Sequence, residues 1–175
     1  STPVVYWHAV NRDHCGGLMV TGSHLAPDQN GFKLSIGNRN LYGGQIDVIR
    51  QMIEHQQFAY GEGSAEVDDH AYSQYVHELE KRITMARPLK IVIDAGNGTG
   101  GLFAPHLFKL WGHEVLECLY CEPDGNFPNH HPDPQQPKNM VALGEKVREL
   151  GADVGIAFDG DADRMGVVDE KGEMI

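Results

Sequence analysis

Alternating strand-like and helix-like segments in the C-terminal half are the feature that most restricts the fold. Short apolar runs at 90–94, 114–121, 153–158 and 164–168 predict strands, and the segments 102–111 and 138–150 predict helices. Parallel strands need helical crossovers of this kind, so the pattern predicts an α/β fold with mixed, mostly parallel sheets sandwiched by helices. Sites in such sheets lie beyond the carboxyl ends of strands, and we therefore expect one after Phe158.

The N-terminal part predicts a smaller unit. Residues 17–21 predict a buried strand, and 32–36 alternate like a second strand. Residues 42–57 predict a helix whose apolar face, with Ile46, Ile49 and Ile53, packs on the sheet. The Gly- and acid-rich segment 59–69 predicts a linker, and a helix follows at about 70–86. The expected units are 1–58 and 70–175. We expect the second unit to be truncated at its C-terminus, because residues 172–175 fall part-way through a predicted hairpin.

Composition limits the partners and the compartment. The 175 residues carry a net charge of -11, which disfavours nucleic acid and anionic membranes as partners. No apolar run of about 20 residues and no basic-then-apolar leader stand in the sequence, so we expect a cytoplasmic protein. Of three cysteines, Cys15, Cys118 and Cys121, the last two form a CxxC. Their odd spacing in a predicted strand favours reduced thiols on opposite faces over a redox pair or half a zinc site.

Three aspartates after the predicted strand 153–158 are the strongest chemical signal. Asp159, Asp161 and Asp163 alternate with small residues and precede Arg164. Like charges this close need a shared cation, and carboxylate oxygens select Mg²⁺, Mn²⁺ or Ca²⁺. A solvated acidic turn is disfavoured because apolar residues flank the run. An EF-hand is disfavoured too, since Arg164 takes the place of its glycine, although Glu170 fits its last ligand position. An open coordination sphere favours Mg²⁺.

A second signal is the segment 21–24, Thr-Gly-Ser-His, followed by Lys33. Gly22 allows a tight turn that exposes Ser23. His24 and Lys33 are potential acid–base or charge-stabilising partners. Taken alone, a Ser-His pair in a loop is more typical of an ordinary turn than of a nucleophile, and the GxSxG spacing of hydrolases is absent.

Two other loops have competing interpretations. The glycine-rich segment 94–101 follows a strand and opens a helix, which would suit a phosphate or, with Glu114 or Glu117, a dinucleotide. We favour a structural turn. The segment 124–134 contains His130 and His131 next to each other, which is unlike zinc-ligand spacing. It predicts an ordered loop at a domain interface.

Taken together and in this order, the segments 21–33, 124–134 and 159–164 resemble the alpha-D-phosphohexomutase superfamily, closest to its bacterial phosphomannomutase/phosphoglucomutase branch. The resemblance covers nearly the whole chain. It implies a four-domain enzyme, of which 1–58 is the later part of the phosphoserine domain and 70–175 most of the metal-loop domain. The remaining domains of the parent enzyme would be partners of these two partial domains, and this fragment alone would be inactive.

The resemblance also implies roles for individual residues. Ser23 is the expected phosphoserine, and a phosphate oxygen on it joins Asp159, Asp161 and Asp163 as ligands of one Mg²⁺. Lys33 and Arg164 stabilise charge on the transferring phosphoryl group, and His24 flanks the phosphoserine. The catalytic set that the resemblance implies is therefore Ser23, His24, Lys33 and Arg164.

The reaction implied is that of an isomerase, an intramolecular phosphotransferase of carbohydrate metabolism. It interconverts hexose 1-phosphate and hexose 6-phosphate of mannose and glucose through a 1,6-bisphosphate intermediate, with glucose 1,6-bisphosphate as an activator. The chemistry of the residues agrees, because phosphoryl transfer needs positioning, positive charge and a bridging metal.

Departures from the family pattern leave alternatives open. Leu25-Ala26 replaces the usual Asn-Pro. Ala162 replaces a glycine that is common in the metal loop of the family, and alanine is small enough for this position if its φ is negative. Phosphoglucosamine mutase is the nearest alternative, although the His-His-Pro-Asp-Pro run at 130–134 favours phosphomannomutase/phosphoglucomutase. A non-catalytic metal- or phosphosugar-binding module and a dinucleotide-binding oxidoreductase domain are the alternatives from other classes.

Overall fold

The computed structural model describes residues 1–12 and 16–175, a range that leaves out Cys15, and it confirms the α/β fold. The helices are α1 (Thr2–Asn11), α2 (Gly44–Glu54), α3 (Ala71–Arg82), α4 (Ala104–Leu110) and α5 (Val141–Leu150). The strands are β1 (Gly16–Val20), β2 (Phe32–Ile36), β3 (Arg39–Asn40), β4 (Lys90–Asp94), β5 (Glu114–Leu119), β6 (Val154–Phe158) and β7 (Met165–Val168). Short 3-10 turns stand at Thr99–Leu102 and Pro137–Asn139.

The four-stranded sheet of the C-terminal unit has the order β5-β4-β6-β7. β4 runs parallel to β5 and β6, and β7 is antiparallel to β6. Alternate residues of β4 enter different cores: Ile91 and Ile93 pack with Ala104 of α4, whereas Val92 packs with Leu143 of α5 and its neighbours. Each fully buried side chain of this size contributes about 1.5–3 kcal/mol. Helices therefore cover both faces of a mostly parallel sheet, as the sequence predicts.

The N-terminal sheet is antiparallel, with the order β1-β2-β3. Its register pairs Val20 with Phe32, so the loop 21–31 connects the adjacent ends of β1 and β2. Helix α1 lies close over β1, because a Cβ added to Gly17 would stand 3.1 Å from Val5 Cγ1. This packing fixes one end of the loop that carries Ser23.

The other face of this sheet is not buried, which contradicts the prediction for residues 17–21. Leu18 is 57% exposed and Phe32 is 66% exposed. Helix α2 forms as predicted, but it contains no buried residue, and Ile53 is 58% exposed. The apolar residues of α2 line an open groove of about 380 Å³ with Phe32 and Leu34. Amphipathic spacing thus predicted the helix, whereas burial needs a covering element that the described residues do not provide.

The prediction that the two C-terminal cysteines lie on opposite faces is also wrong. The Cα atoms of Cys118 and Cys121 are 5.8 Å apart, and their sulfur atoms are in contact. A strand that continued to residue 121 would put the two side chains on opposite faces, but β5 ends at Leu119. Tyr120 has φ +53°, so the chain turns there and brings Cys121 back beside Cys118.

Residues 59–69 contain no helix or strand, and α3 follows them and lies against α1. His8 Nε2 donates to the carbonyl of Ala71 at 2.7 Å, and the rings of Trp7 and Tyr75 meet edge to face at 6.1 Å. The division into units 1–58 and 70–175 stays a prediction. Within the described ranges, no helix has the length and apolar character that crossing a membrane requires.

Candidate active site

Two loops, one from each sheet, meet to form the candidate site. The first, residues 21–31, connects β1 to β2 and is closed at its base by a 2.9 Å hydrogen bond from the Thr21 N–H to the Gly31 carbonyl. The second, residues 159–164, connects β6 to β7 and is here called the metal loop. A Cβ at Gly160 would clash with the backbone carbonyl of Ser23, so only glycine permits this approach. All seven predicted residues lie at this junction: Ser23, His24, Lys33, Asp159, Asp161, Asp163 and Arg164.

Ser23 stands at a left-handed turn with φ +50°. This conformation costs a non-glycine residue about 1–2 kcal/mol. Its N–H donates to Thr21 Oγ1 at 2.9 Å, and its hydroxyl donates to Asp159 Oδ2 at 2.9 Å. The Nδ1 of His24 lies 3.2 Å from the same hydroxyl. Local strain of this kind concentrates at functional sites, and here it points the serine at the metal loop.

Asp159 is completely buried, and four donors hold its carboxylate. Oδ1 accepts the backbone N–H groups of Asp163 and Arg164, each at 3.0 Å. Oδ2 accepts the Ser23 hydroxyl and the Nε of Arg164, the latter at 3.0 Å. The orientation of this carboxylate is therefore fixed by its own loop, by the arginine and by the serine.

Arg164 connects the metal loop to His24. Its guanidinium lies 2.6 Å from His24 Nδ1, and because a guanidinium only donates, Nδ1 is the acceptor. Its NH1 also donates to Gln135 Oε1 at 3.3 Å and lies 3.6 Å from Asp133 Oδ1. Residues of the segment 124–135 thus help to hold the arginine beside Ser23.

Lys33 extends from β2 to the opposite side of the metal loop. Its Nζ lies 2.7 Å from Asp161 Oδ2 and 2.6 Å from Asp163 Oδ2. Burial lowers the pKa of Lys33, but the hydrogen bonds with both carboxylates outweigh it, and the net pKa is raised. For Asp161, burial raises the pKa, but hydrogen bonds from Lys33 and Thr2 outweigh this effect and lower the pKa to about 2. Both groups are charged at neutral pH.

The three aspartates fit a hard divalent cation. Each offers an oxygen, and these atoms lie within 4.8 Å of one another. Asp161 is only 2% exposed, and its Oδ1 has no hydrogen-bond partner among the described residues. A buried carboxylate oxygen without a partner is costly unless a cation satisfies it. The metal loop is flanked by the strands β6 and β7, not by helices, which rules out an EF-hand.

The two loops border an open cleft of about 530 Å³. Ser23, Lys33 and Arg164 lie in its wall beside the apolar Leu25 and Phe32. This volume is within the range of small-molecule sites, about 300–1,000 Å³. The cleft therefore offers a nucleophilic hydroxyl between two cationic side chains.

The glycine-rich segment 94–101 supports the metal loop. A Cβ at Gly98 would stand 2.7 Å from Gly160 Cα, and the N–H of Thr99 donates to the Gly160 carbonyl at 2.9 Å. A Cβ at Gly101 would clash with the backbone carbonyl of Cys121. Other backbone segments occupy the space that a pyrophosphate would need, which favours the structural turn over a dinucleotide site.

The segment 124–134 packs on the same turn. His130 Nε2 lies 2.9 Å from Oδ2 of the fully buried Asp94, and this hydrogen bond raises the pKa of His130. Pro132 packs closely on the turn, because a Cβ added to Gly96 would lie only 3.0 Å from the Pro132 Cβ. The ring of His131 lies 6.4 Å from that of His24. This arrangement fits the predicted ordered loop at an interface.

Ala162 contradicts the expected negative φ, because it has φ +58°. The left-handed region favours glycine, and the metal loop holds an alanine there with its side chain buried.

Sequence reasoning missed three residues of the site. Thr2 donates to Asp161 Oδ2 at 2.6 Å, and Thr21 donates to the same oxygen at 3.1 Å. Gln135 accepts from Arg164. Thr21 stands in the segment 21–24 with Ser23, so its position is a usable signal, whereas no pattern marks Thr2 or Gln135.

Two family models match the chain. "Phosphoglucomutase/phosphomannomutase, alpha/beta/alpha domain I" matches residues 1–60, and "alpha/beta/alpha domain II" of the same description matches residues 71–172. Together they cover both sheets and both loops of the candidate site.

Individual relatives match over the full chain. A phosphomannomutase/phosphoglucomutase of Pseudomonas aeruginosa is 47% identical over 99% of this chain and 37% of its own length. A phosphoglucomutase of Neisseria meningitidis is 44% identical over 100% of this chain and 38% of its own length. The crystal structure of a phosphoglucomutase/phosphomannomutase family protein from Burkholderia thailandensis superimposes with a TM-score of 0.94 at 43% identity, covering 99% of this chain and 39% of that one. The chain thus spans less than two fifths of the relatives that it matches.

Proposed function

We propose that this chain, which belongs to the phosphoglucomutase/phosphomannomutase family, carries the phosphoserine and the metal loop of a phosphohexomutase. The enzyme would interconvert the 1- and 6-phosphates of mannose and glucose. The observation that carries the proposal is the Ser23 hydroxyl, 2.9 Å from Asp159 Oδ2 in a cleft flanked by Lys33 and Arg164. Because relatives are more than twice as long, we assign the complete reaction to a longer enzyme and expect no activity from this segment alone.

Asp159, Asp161 and Asp163 are the residues that would hold one Mg²⁺, and the free oxygen of Asp161 supports this assignment. A phosphate oxygen on Ser23 would be a further ligand. Bound there, the ion would neutralise negative charge on the transferring phosphoryl group.

The chain's own residues account for the rest of the transfer. The Oγ–P bond of phosphorylated Ser23 breaks as a hydroxyl oxygen of the hexose monophosphate bonds to phosphorus. The proton of that sugar hydroxyl ends on Ser23 Oγ, and the product is a 1,6-bisphosphate. In the second transfer Ser23 Oγ bonds to the other phosphorus, the bond from that phosphorus to the sugar oxygen breaks, and the Ser23 hydroxyl proton ends on the released sugar oxygen. Asp159 Oδ2, which accepts the Ser23 hydroxyl at 2.9 Å, is the group that can relay this proton, because His24 Nδ1 already accepts from Arg164. Lys33 and Arg164 supply positive charge on two sides of the serine.

Phosphorylation of the full-length protein tests the proposal. Incubation with glucose 1,6-bisphosphate, the proposed activator, and Mg²⁺ should add about 80 Da, and peptide mapping should place the phosphate on Ser23. The matched variant Ser23→Ala should stay unmodified and inactive. A full-length protein that takes up no phosphate on Ser23 would contradict the mutase and favour the non-catalytic binding module.

Substrate comparison tests the choice of sugar. The full-length enzyme should act on mannose and glucose phosphates more efficiently than on glucosamine 6-phosphate, measured as kcat/KM. A strong preference for glucosamine 6-phosphate would instead favour phosphoglucosamine mutase. A cytoplasmic location stays a prediction from composition.

A further inference from the structure

We propose that Thr2 is a positioning residue of the metal loop: its hydroxyl holds one oxygen of Asp161 so that the other stays directed at a divalent cation. The inference rests on the proposed function, because it assumes that the three aspartates bind a metal. It extends that function to Thr2, which lies in helix α1 beside the N-terminal sheet, whereas the metal loop belongs to the C-terminal sheet.

Thr2 contacts the metal loop through both its side chain and its backbone. Its side chain is completely buried, and Oγ1 donates to Asp161 Oδ2 at 2.6 Å across 159 positions of sequence. Its N–H lies 3.4 Å from the Asp161 carbonyl. Helix α1 starts at this residue and packs on β1, so the hydroxyl is presented by a rigid element.

The two oxygens of Asp161 have opposite environments. Oδ2 accepts from Thr2 at 2.6 Å, from Lys33 at 2.7 Å and from Thr21 at 3.1 Å. Oδ1 is buried and has no partner among the described residues. Three donors on one oxygen fix the rotation of the carboxylate and leave the second oxygen available. In metal sites generally, hydrogen bonds from neighbouring residues orient a ligand in this way, so that one atom is held and another faces the metal.

Among the three donors, Thr2 has the least freedom to move. Lys33 acts through a flexible four-carbon stem and also serves Asp163. Thr21 belongs to the loop 21–31 and forms the longest of the three bonds. Thr2 is β-branched, completely buried and part of a helix, so its χ1 angle is restricted. Its hydroxyl should therefore determine the orientation of Asp161 more than the other two.

The test measures the Kd of the full-length protein for Mn²⁺, with the EPR signal of free Mn²⁺ as the readout. Thr2→Val keeps the shape and removes the hydroxyl, and should raise the Kd about 10–100-fold. Thr2→Ser keeps the hydroxyl and should stay near the wild-type Kd. Thr84→Val, at an exposed position after α3, is the control for the substitution itself.

Activity supplies a second readout. In Thr2→Val the Mg²⁺ concentration for half-maximal activity should rise, while kcat at saturating Mg²⁺ should recover towards wild type. A merely structural defect would lower kcat at every Mg²⁺ concentration and would overturn the inference. If Thr2→Val does not fold, Thr2→Ala against Thr2→Ser decides by the same Mn²⁺ titration, because both lose the methyl group and only alanine loses the hydroxyl.

The outcomes separate the two proposals. Wild-type protein that binds no Mn²⁺ would overturn the metal site of the proposed function, and the role of Thr2 with it. Wild-type protein that binds Mn²⁺ with the same Kd as Thr2→Val, or as Thr2→Ala where that pair is used, would overturn the role of Thr2 alone.

Discussion

The hydroxyl of Ser23 donates a 2.9 Å hydrogen bond to Asp159, although 136 positions of sequence separate the two residues. The serine belongs to a loop of the antiparallel sheet, and the aspartate follows β6 of the mostly parallel sheet. Neither sheet contains the site alone. Substitutions at the contact between the two loops should therefore lower activity, because they move Ser23 relative to the metal loop.

Lys33→Met should lower kcat of the full-length enzyme by about 10²–10³-fold, because it removes a positive charge aimed at the cleft. The same change leaves Asp161 and Asp163 without their shared cation. Steady-state kinetics at saturating Mg²⁺ measure the effect. Lys109→Met, at an exposed position of α4, is the matched control and should have wild-type kcat. Equal kcat for Lys33→Met and wild type would remove Lys33 from the proposed mechanism.

Gly160→Ala should destabilise the protein by about 1–3 kcal/mol and reduce activity, because the added methyl group clashes with the Ser23 carbonyl and separates the two loops. Urea unfolding measures the free energy of unfolding. Gly63→Ala is the control, since a Cβ at Gly63 meets no atom within 4 Å. Equal effects of the two substitutions would show that the loops do not make this close contact in solution.

The His130–Asp94 pair should make stability depend on pH. Its hydrogen bond with Asp94 raises the pKa of His130 above the ordinary value of about 6.5. The protonated state is thus favoured by folding. Its contribution is fully present below about pH 6.5 and is lost as the pH rises through the higher pKa of the folded state.

Thermal unfolding between about pH 6 and pH 9 measures this dependence. Asp94→Asn keeps a polar group beside the imidazole and removes the charge, so the fall in Tm with rising pH should become shallower in that variant. Parallel Tm curves for wild type and Asp94→Asn would show that the pair does not contribute to the pH dependence.

Ala162→Gly should stabilise the protein by up to about 1.6 kcal/mol. Relief of the left-handed conformation is worth about 1–2 kcal/mol, and the greater freedom of glycine in the unfolded chain costs about 0.4–1 kcal/mol. Ala142→Gly in α5 is the control and should destabilise by about 1 kcal/mol. The opposite signs are the diagnostic result, and destabilisation by both substitutions would contradict a strained Ala162.

Local patterns predicted the elements and the chemistry of the site. The apolar run that ends at Phe158, followed directly by Asp159, Asp161 and Asp163, predicted both the strand and the acidic loop beyond its carboxyl end. Alternation at 32–36 predicted β2 and placed Lys33 on it. These predictions succeeded because side-chain periodicity and the order of elements are properties of neighbouring residues.

Contacts between distant segments were beyond reach of the same reasoning. Nothing near Thr2 in sequence indicates that it meets Asp161. The contact between Cys118 and Cys121 depends on the left-handed turn at Tyr120, which strand periodicity does not predict. The expected burial of α2 failed because amphipathic spacing identifies an apolar face without identifying what covers it.

The contacts of Lys33 with Asp161 and Asp163 have an evolutionary consequence. Segments 1–60 and 71–172 correspond to separate domain families, yet the charge of the metal loop is compensated by a residue from the other segment. A protein could combine two such segments from divergent relatives. Their shared centre would work only where both had inherited compatible side chains, so the two segments should vary together over time rather than be exchanged independently.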